Sequence, residues 1–217
     1  MLEDVKLRAT GRLIANYALP HQLAAKHFAA RVKDIEIANR HQPFGEFWND
    51  IRTYVTGTIL SSASAMEAFI NECFLLPNGE LRNRISNFEA EFWGRNGIER
   101  LSILAKYNHA LRLLDKPELK DIDGAALAHA QALVGLRNTL VHFKPLYDAP
   151  RDTQLELEQN LRACSFPLSQ YHGAESDFVL QCMSSGCADW AVRTSADLVR
   201  VFADQTRIQT NVAEAFQ

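Results

Sequence analysis

Three residues near the centre of the chain mark a candidate functional site. They are Arg137, Asn138 and His142, in the stretch GLRNTLVHFKP. A guanidinium offers a planar fork of donors that matches a phosphate. An imidazole is the side chain that most readily gives or takes a proton near neutral pH. Asn138 and His142 are four apart, which places both on one side of a helix. R-x4-H spacing alone is common, and an Asn directly after the Arg makes the set far less frequent by composition. The plain structural alternative is a buried Arg tying helices together, with a His at a helix end near the C-terminal dipole.

The element that must position these residues spans Ala125–Pro145, AALAHAQALVGLRNTLVHFKP. It reads as a helix of about five turns, N-capped by Asp123 and closed by Pro145, which cannot continue it. At 100° per residue, Ala126, Ala130, Leu133, Leu136, Leu140 and Val141 form an apolar stripe, and Arg137 projects from its middle. A guanidinium is costly to bury unless paired. The pattern therefore asks for a carboxylate, a phosphate or a subunit interface against Arg137.

A second stretch, YVTGTILSSASAMEAFINECFLL, carries Glu67 at the edge of its own apolar stripe. Ser64 and Asn71 flank Glu67 at i−3 and i+4. A lone Glu in such a place is ordinarily a solvated margin residue. The remaining histidines (His21, His27, His41, His109, His129 and His172) show no metal-ligand spacing. No HExxH, Walker loop, GxGxxG or GxSxG occurs, so neither a metal nor another cofactor is expected.

The chain has 217 residues, 47% hydrophobic and 23% charged, which suits one domain with a sizeable core rather than a disordered segment. The formal net charge of −3 gives no global basic field, so any nucleic-acid contact must be local. Cys73, Cys164, Cys182 and Cys187 lack CxxC spacing and read as reduced thiols. With no leader and no long apolar run, the expected location is the cytoplasm and no membrane is involved.

Helical periodicity dominates throughout. It predicts helices over Glu3–Ala18, His21–Arg40, Phe44–Leu76 (one helix or two broken near Gly57), a short one in Leu81–Gly97, then Ile98–Leu114, Thr153–Cys164 and Ser184–Thr206. PNGE at Pro77–Glu80 and the DKPELKDIDG stretch read as turn and loop. Phe178–Met183 is the one candidate strand. The class is all-α, an up-down bundle of four to five core helices, with a core over about 44–145 and flanking helices over 1–40 and 151–206.

GLRNTLVHFKP resembles the signature of the HEPN superfamily, in which Arg is followed by a polar residue, three more residues and His. SSASAMEAFINECF resembles the long Glu-bearing helix of bacterial HEPN proteins, and the order of the two segments agrees. The resemblance covers roughly residues 44–144. It implies a homodimer whose two motif helices face each other across a metal-independent ribonuclease cleft. Arg137 would hold the scissile phosphate and His142 would be the acid or base. Asn138 would orient His142 or the phosphate, Glu67, beside Ser64 and Asn71, would pair with Arg137 or polarise the site, and Lys144 would touch a phosphate outside the cleft. The family setting is toxin–antitoxin or phage and stress defence. The expected partners are RNA and an antitoxin or other protein. Some HEPN toxins carry a Tyr two residues after the motif His, which a nucleotidyltransferase antitoxin modifies. Lys144 stands there, so that form of control is not expected. Other HEPN domains are inactive modules that scaffold a protein or nucleotide, and this is the alternative function.

Overall fold

The computed structural model describes residues 16–77, 79–143, 152–173 and 176–208. Lys144, Pro145 and most of the predicted Glu3–Ala18 helix lie outside the described residues. Ten α-helices and one 3₁₀ turn are present, and no strand occurs among the described residues.

The chain folds around α2 (Phe47–Leu75), and the reason is legible in its buried positions. Trp48, Ile51, Val55, Thr58, Ser62, Ala65 and Phe69 repeat at alternating spacings of three and four. Ile59, Ala63, Met66, Ile70 and Cys73 form a second such row. Each row is the seam for a neighbouring helix, so two rows mean that α2 is covered on more than one side. Gly57 does not break it. A Cβ there would come within 2.9 Å of the Phe28 ring, so the glycine serves close approach of the preceding helix.

That neighbour, α1 (Ala18–Asn39), buries Ala18, Gln22, Ala25, Ala29 and Val32 at the same alternating spacing. It starts at Ala18, so Pro20 lies inside the first turn rather than between two helices. A proline is tolerated there because the first-turn amides have no intrahelical partner. Ala18 meets Glu72, and Phe28 meets Tyr54, so α1 and α2 run antiparallel. The N-terminal cap of α1 comes from α2: Glu72 Oε1 accepts the amides of Tyr17 (2.8 Å) and Ala18 (2.9 Å). Truncating this carboxylate by Glu72→Ala is expected to cost about 1–2 kcal/mol. Glu72→Gln, which keeps an acceptor, should cost less. Urea unfolding at unchanged m-value checks both, and equal losses would argue against capping.

α3 (Glu80–Asn83) and α4 (Phe88–Trp93) replace the single short helix predicted there. Arg82 covers the Phe88 ring at 3.9 Å, and Phe88 stacks on Phe92. The predicted Ile98–Leu114 helix is divided: a 3₁₀ turn over Ile98–Arg100 precedes α5 (Ile103–Leu113), with extended backbone at Leu101 and Ser102 between them. The expected loop before the central helix contains a further turn of helix, α6 (Leu119–Ile122). Asp123 then caps α7 (Gly124–Val141) as expected, its Oδ1 accepting from the Ala126 amide at 2.9 Å.

α8 (Asp152–Ala163) lies against α7, where a Cβ on Gly135 would come within 2.8 Å of Leu157. Phe178–Met183 is not a strand. Asp177 caps Val179 and starts the single helical turn α9 (Phe178–Gln181). A short apolar run cannot be assigned by periodicity alone, and the capping Asp decides it. Finally α10 (Ser185–Thr206) packs on α1, α2 and α7. It is antiparallel to α1: Gln22 meets Ser195 and Val192 at one end, and Glu36 accepts the amide and hydroxyl of Ser185 at the other. Thus α1 and α10, the first and last helices of the described residues, both pack directly on α2. The fold is an all-α helical bundle, and no helix among the described residues is long and apolar enough to cross a membrane.

Cys73, Cys182 and Cys187 are buried, and Cys164 is half-buried at the end of α8. Burial pushes the Cys73 thiol up to about 12, helped by the nearby Glu72 carboxylate. Burial and then Cys182 push Cys164 up to about 11. The thiolate is the reactive form, so these groups are poor nucleophiles at neutral pH. An aromatic disulfide reagent added to the native protein at pH 8 should label Cys164 slowly. The other three should react only on unfolding. Fast labelling of two or more thiols in the native state would contradict this burial.

Candidate functional site

The apolar stripe of α7 is buried over Ala130, Leu133 and Leu136 and then leaves the core. Leu140 is half-buried, and Val141 and Phe143 are 48% and 60% exposed. Arg137 sits at this transition, half-buried, and its Nη1 donates to Asn138 Oδ1 at 2.9 Å. The demand for a partner is therefore met by a neighbouring amide, at a point where water also reaches. Asn138 is exposed. His142 is the C-cap of α7, exposed, with its backbone amide donating to the Asn138 carbonyl at 2.9 Å. Its ring makes no hydrogen bond among the described residues. The helix ends at Val141, before Pro145 is reached. Arg137, Asn138 and His142 thus share the last turn of α7, and the side chains of Asn138 and His142 are open to a ligand.

Glu67 takes a different partner from the one expected. Its Oε1 lies 3.3 Å from Lys106 Nζ of α5, and the Lys106 side chain is only 2% exposed. Register explains why Arg137 is not the partner. α10 is antiparallel to α1, and α7 is antiparallel to α10, with His129 beside Trp190 and Asp123 in the same small cavity as Arg200. So α7 runs antiparallel to α2, and Leu140 and Phe143 come opposite Arg52 and Thr56. Glu67 lies eleven residues beyond Thr56, about 16 Å along the axis. Arg137 moves back only three residues from Leu140, which leaves an offset of roughly 12 Å. Ser64 and Asn71 flank Glu67 on α2, both half-buried, and Asn71 Oδ1 is a buried acceptor without a hydrogen bond among the described residues. Ser64, Glu67 and Asn71 thus form a group of their own, apart from the end of α7.

Lys106 is the functional-type residue that sequence reasoning missed. The signal was present: Lys106 falls between Ile103 and Ala110 at i+3 and i−4, on the buried stripe of α5. A cation on an apolar stripe is the same anomaly that singled out Arg137.

Beside the end of α7 opens a cleft of about 570 Å³ between α2, α7 and α9. Leu140, Phe143, Val179, Leu180 and Met183 give it an apolar part, and Arg52, Thr56 and Asp177 also line it. Elsewhere, His129 Nδ1 accepts from Trp190 Nε1 at 3.1 Å, which commits that ring to the α7–α10 packing. No three His, Cys, Asp or Glu side chains converge as metal ligands among the described residues. No family model, curated protein or solved structure matches the chain, so the reading of this site rests on its own residues and geometry.

Proposed function

We propose that this protein is a metal-independent endoribonuclease of the HEPN type, acting as a cytoplasmic homodimer through the exposed end of α7. The observation that carries the reading is the last turn of α7, where Asn138 and His142 are exposed beside an Arg137 anchored by a single amide. The flanking Val141, 48% exposed, offers apolar surface that a second copy would cover.

In this reading Arg137 holds the scissile phosphate and stabilises the charge that grows on it. Asn138 fixes the guanidinium plane, a role its hydrogen bond supports better than orienting His142. His142 takes the proton of the ribose 2′-hydroxyl. The 2′-oxygen bonds to phosphorus, the bond to the 5′-oxygen breaks, and that oxygen receives a proton from the second copy's imidazole. The products are a 2′,3′-cyclic phosphate and a 5′-hydroxyl. Lys144 would add a phosphate contact outside the cleft. The setting is toxin–antitoxin or defence biology with a protein partner. The test is incubation of purified protein with a mixed RNA pool in EDTA at pH 6–8, with light scattering to count subunits. Intact RNA from a folded dimer would overturn the nuclease.

One observation favours a second reading, an inactive HEPN module that scaffolds a protein or nucleotide. No third group among the described residues orients His142, as a general base ordinarily requires. In that case RNA stays intact and the Val141–Phe143 surface binds a partner.

A further inference from the structure

The cleft beside the motif has the make-up of a nucleotide subsite. Leu140 is one turn beyond Arg137 on the same helix, and Phe143 directly follows His142, so the cleft lies beside the end of α7 that carries the motif, with the motif side chains outside its lining. Its floor is Leu140, Val179, Leu180 and Met183, and Thr56 adds a hydroxyl to the lining. Phe143, 60% exposed, is a free aromatic face on its wall. Arg52 on the rim is exposed and makes no ion pair among the described residues. Asp177 also lines the cleft, on the α9 side, where its Oδ1 accepts from the Val179 amide at 2.8 Å. A cleft of about 570 Å³ is within the range of small-molecule sites and holds one nucleoside.

We infer that this cleft binds one base of single-stranded RNA, stacked on Phe143 over the apolar floor, with Arg52 on the adjoining phosphate. The inference rests on the ribonuclease reading and names how that site grips its substrate. Stacking on an aromatic ring serves every base, and a lone cation on the rim reads backbone charge. The subsite is therefore tolerant of sequence and specific for unpaired strands, whose bases are free to leave the stack.

The experiment measures binding of a fluorescent 2′-O-methyl RNA oligonucleotide of mixed sequence, which lacks the attacking hydroxyl and stays intact. Full-length protein carries Phe143→Ala, Leu180→Trp (which fills the cleft), Arg52→Gln, or the remote control Arg112→Gln. Phe143→Ala and Leu180→Trp should each weaken binding about tenfold or more. Arg52→Gln should weaken it and flatten the salt dependence, Arg112→Gln should do neither, and a duplex of the same sequence should bind poorly. Cleavage of ordinary RNA is followed in parallel. If the wild type cleaves but Phe143→Ala and Leu180→Trp bind like it, the subsite is wrong and the nuclease stands. If both variants weaken binding while the wild type cleaves nothing, the subsite stands and the nuclease fails. A wild-type protein that does not bind the methylated RNA overturns the inference.

Discussion

His142→Ala is expected to lower RNA cleavage by about 10²–10⁴-fold, the usual worth of a positioned general acid or base, while leaving the fold intact. The side chain is exposed at a helix end, and only its backbone amide is used structurally, in the bond to the Asn138 carbonyl. A surface change of that kind stays within about 0.5 kcal/mol. Loss of activity with an unchanged urea midpoint would therefore locate the effect in the chemistry. Arg137 behaves differently. Arg137→Lys keeps the positive charge and loses the fork, and a phosphate clamp should then lose about 10²–10³-fold. Asn138→Ala leaves the guanidinium without its tether at 2.9 Å and should cost about an order of magnitude through misorientation. The ordering His142→Ala, Arg137→Lys, Asn138→Ala from worst to mildest is the signature of the proposed roles. Equal, small effects of all three on cleavage would assign the activity to a contaminant or another site.

Local chemistry in this chain was legible where one residue decides one backbone event. Asp123 at the start of α7 was readable because an N-cap acts over three residues. Ser184 before α10 obeys the same rule, its hydroxyl oxygen accepting from the Cys187 amide, although periodicity counts it into the helix. The motif turn was legible for a related reason: Arg137, Asn138 and His142 lie within six residues, so helical geometry alone brings them together. What failed depended on tertiary partners. The predicted gap between Ala18 and His21 is instead the first turn of α1, Pro20 included, because Glu72 from α2 caps the helix there. Gly57 looked like a possible break and is a contact surface for Phe28. Phe178–Met183 looked like a strand because it is short and apolar, and nothing inside it states its period. The Glu67–Arg137 pairing failed most instructively. Glu67 and Arg137 do lie on helices that pack antiparallel, but sequence says nothing of axial register. Register is set by how Leu140 and Phe143 come opposite Arg52 and Thr56, a packing outcome of the whole bundle.

The pairing that does form carries the second large effect, this time on stability. Lys106 Nζ lies in the interior of the bundle, its side chain 2% exposed, and Glu67 Oε1 at 3.3 Å is the ion-pair partner it has among the described residues. Glu67 is 39% exposed, so the two members of the pair differ in how much water each keeps. Removing the acid leaves a buried ammonium without its counter-charge, whereas removing the lysine leaves a carboxylate that can still be hydrated. Glu67→Ala should therefore destabilise by about 2–3 kcal/mol, less than for a wholly buried pair because water enters from the Glu67 side. For a domain of this size that is a fall in Tm of roughly 4–12 °C. Lys106→Met, which fills similar volume without charge, should be near neutral. Adding it to a Glu67→Gln background should recover most of the loss that Glu67→Gln shows alone. The same variants separate the two possible partners of Glu67. If Glu67 serves only Lys106, Glu67→Ala at a temperature where it remains folded cleaves RNA like the wild type, and Arg137→Lys is no more stable in its presence. A Glu67→Ala protein as stable as wild type but unable to cleave would place Glu67 back beside Arg137 and refute the register derived from Arg52, Thr56, Leu140 and Phe143.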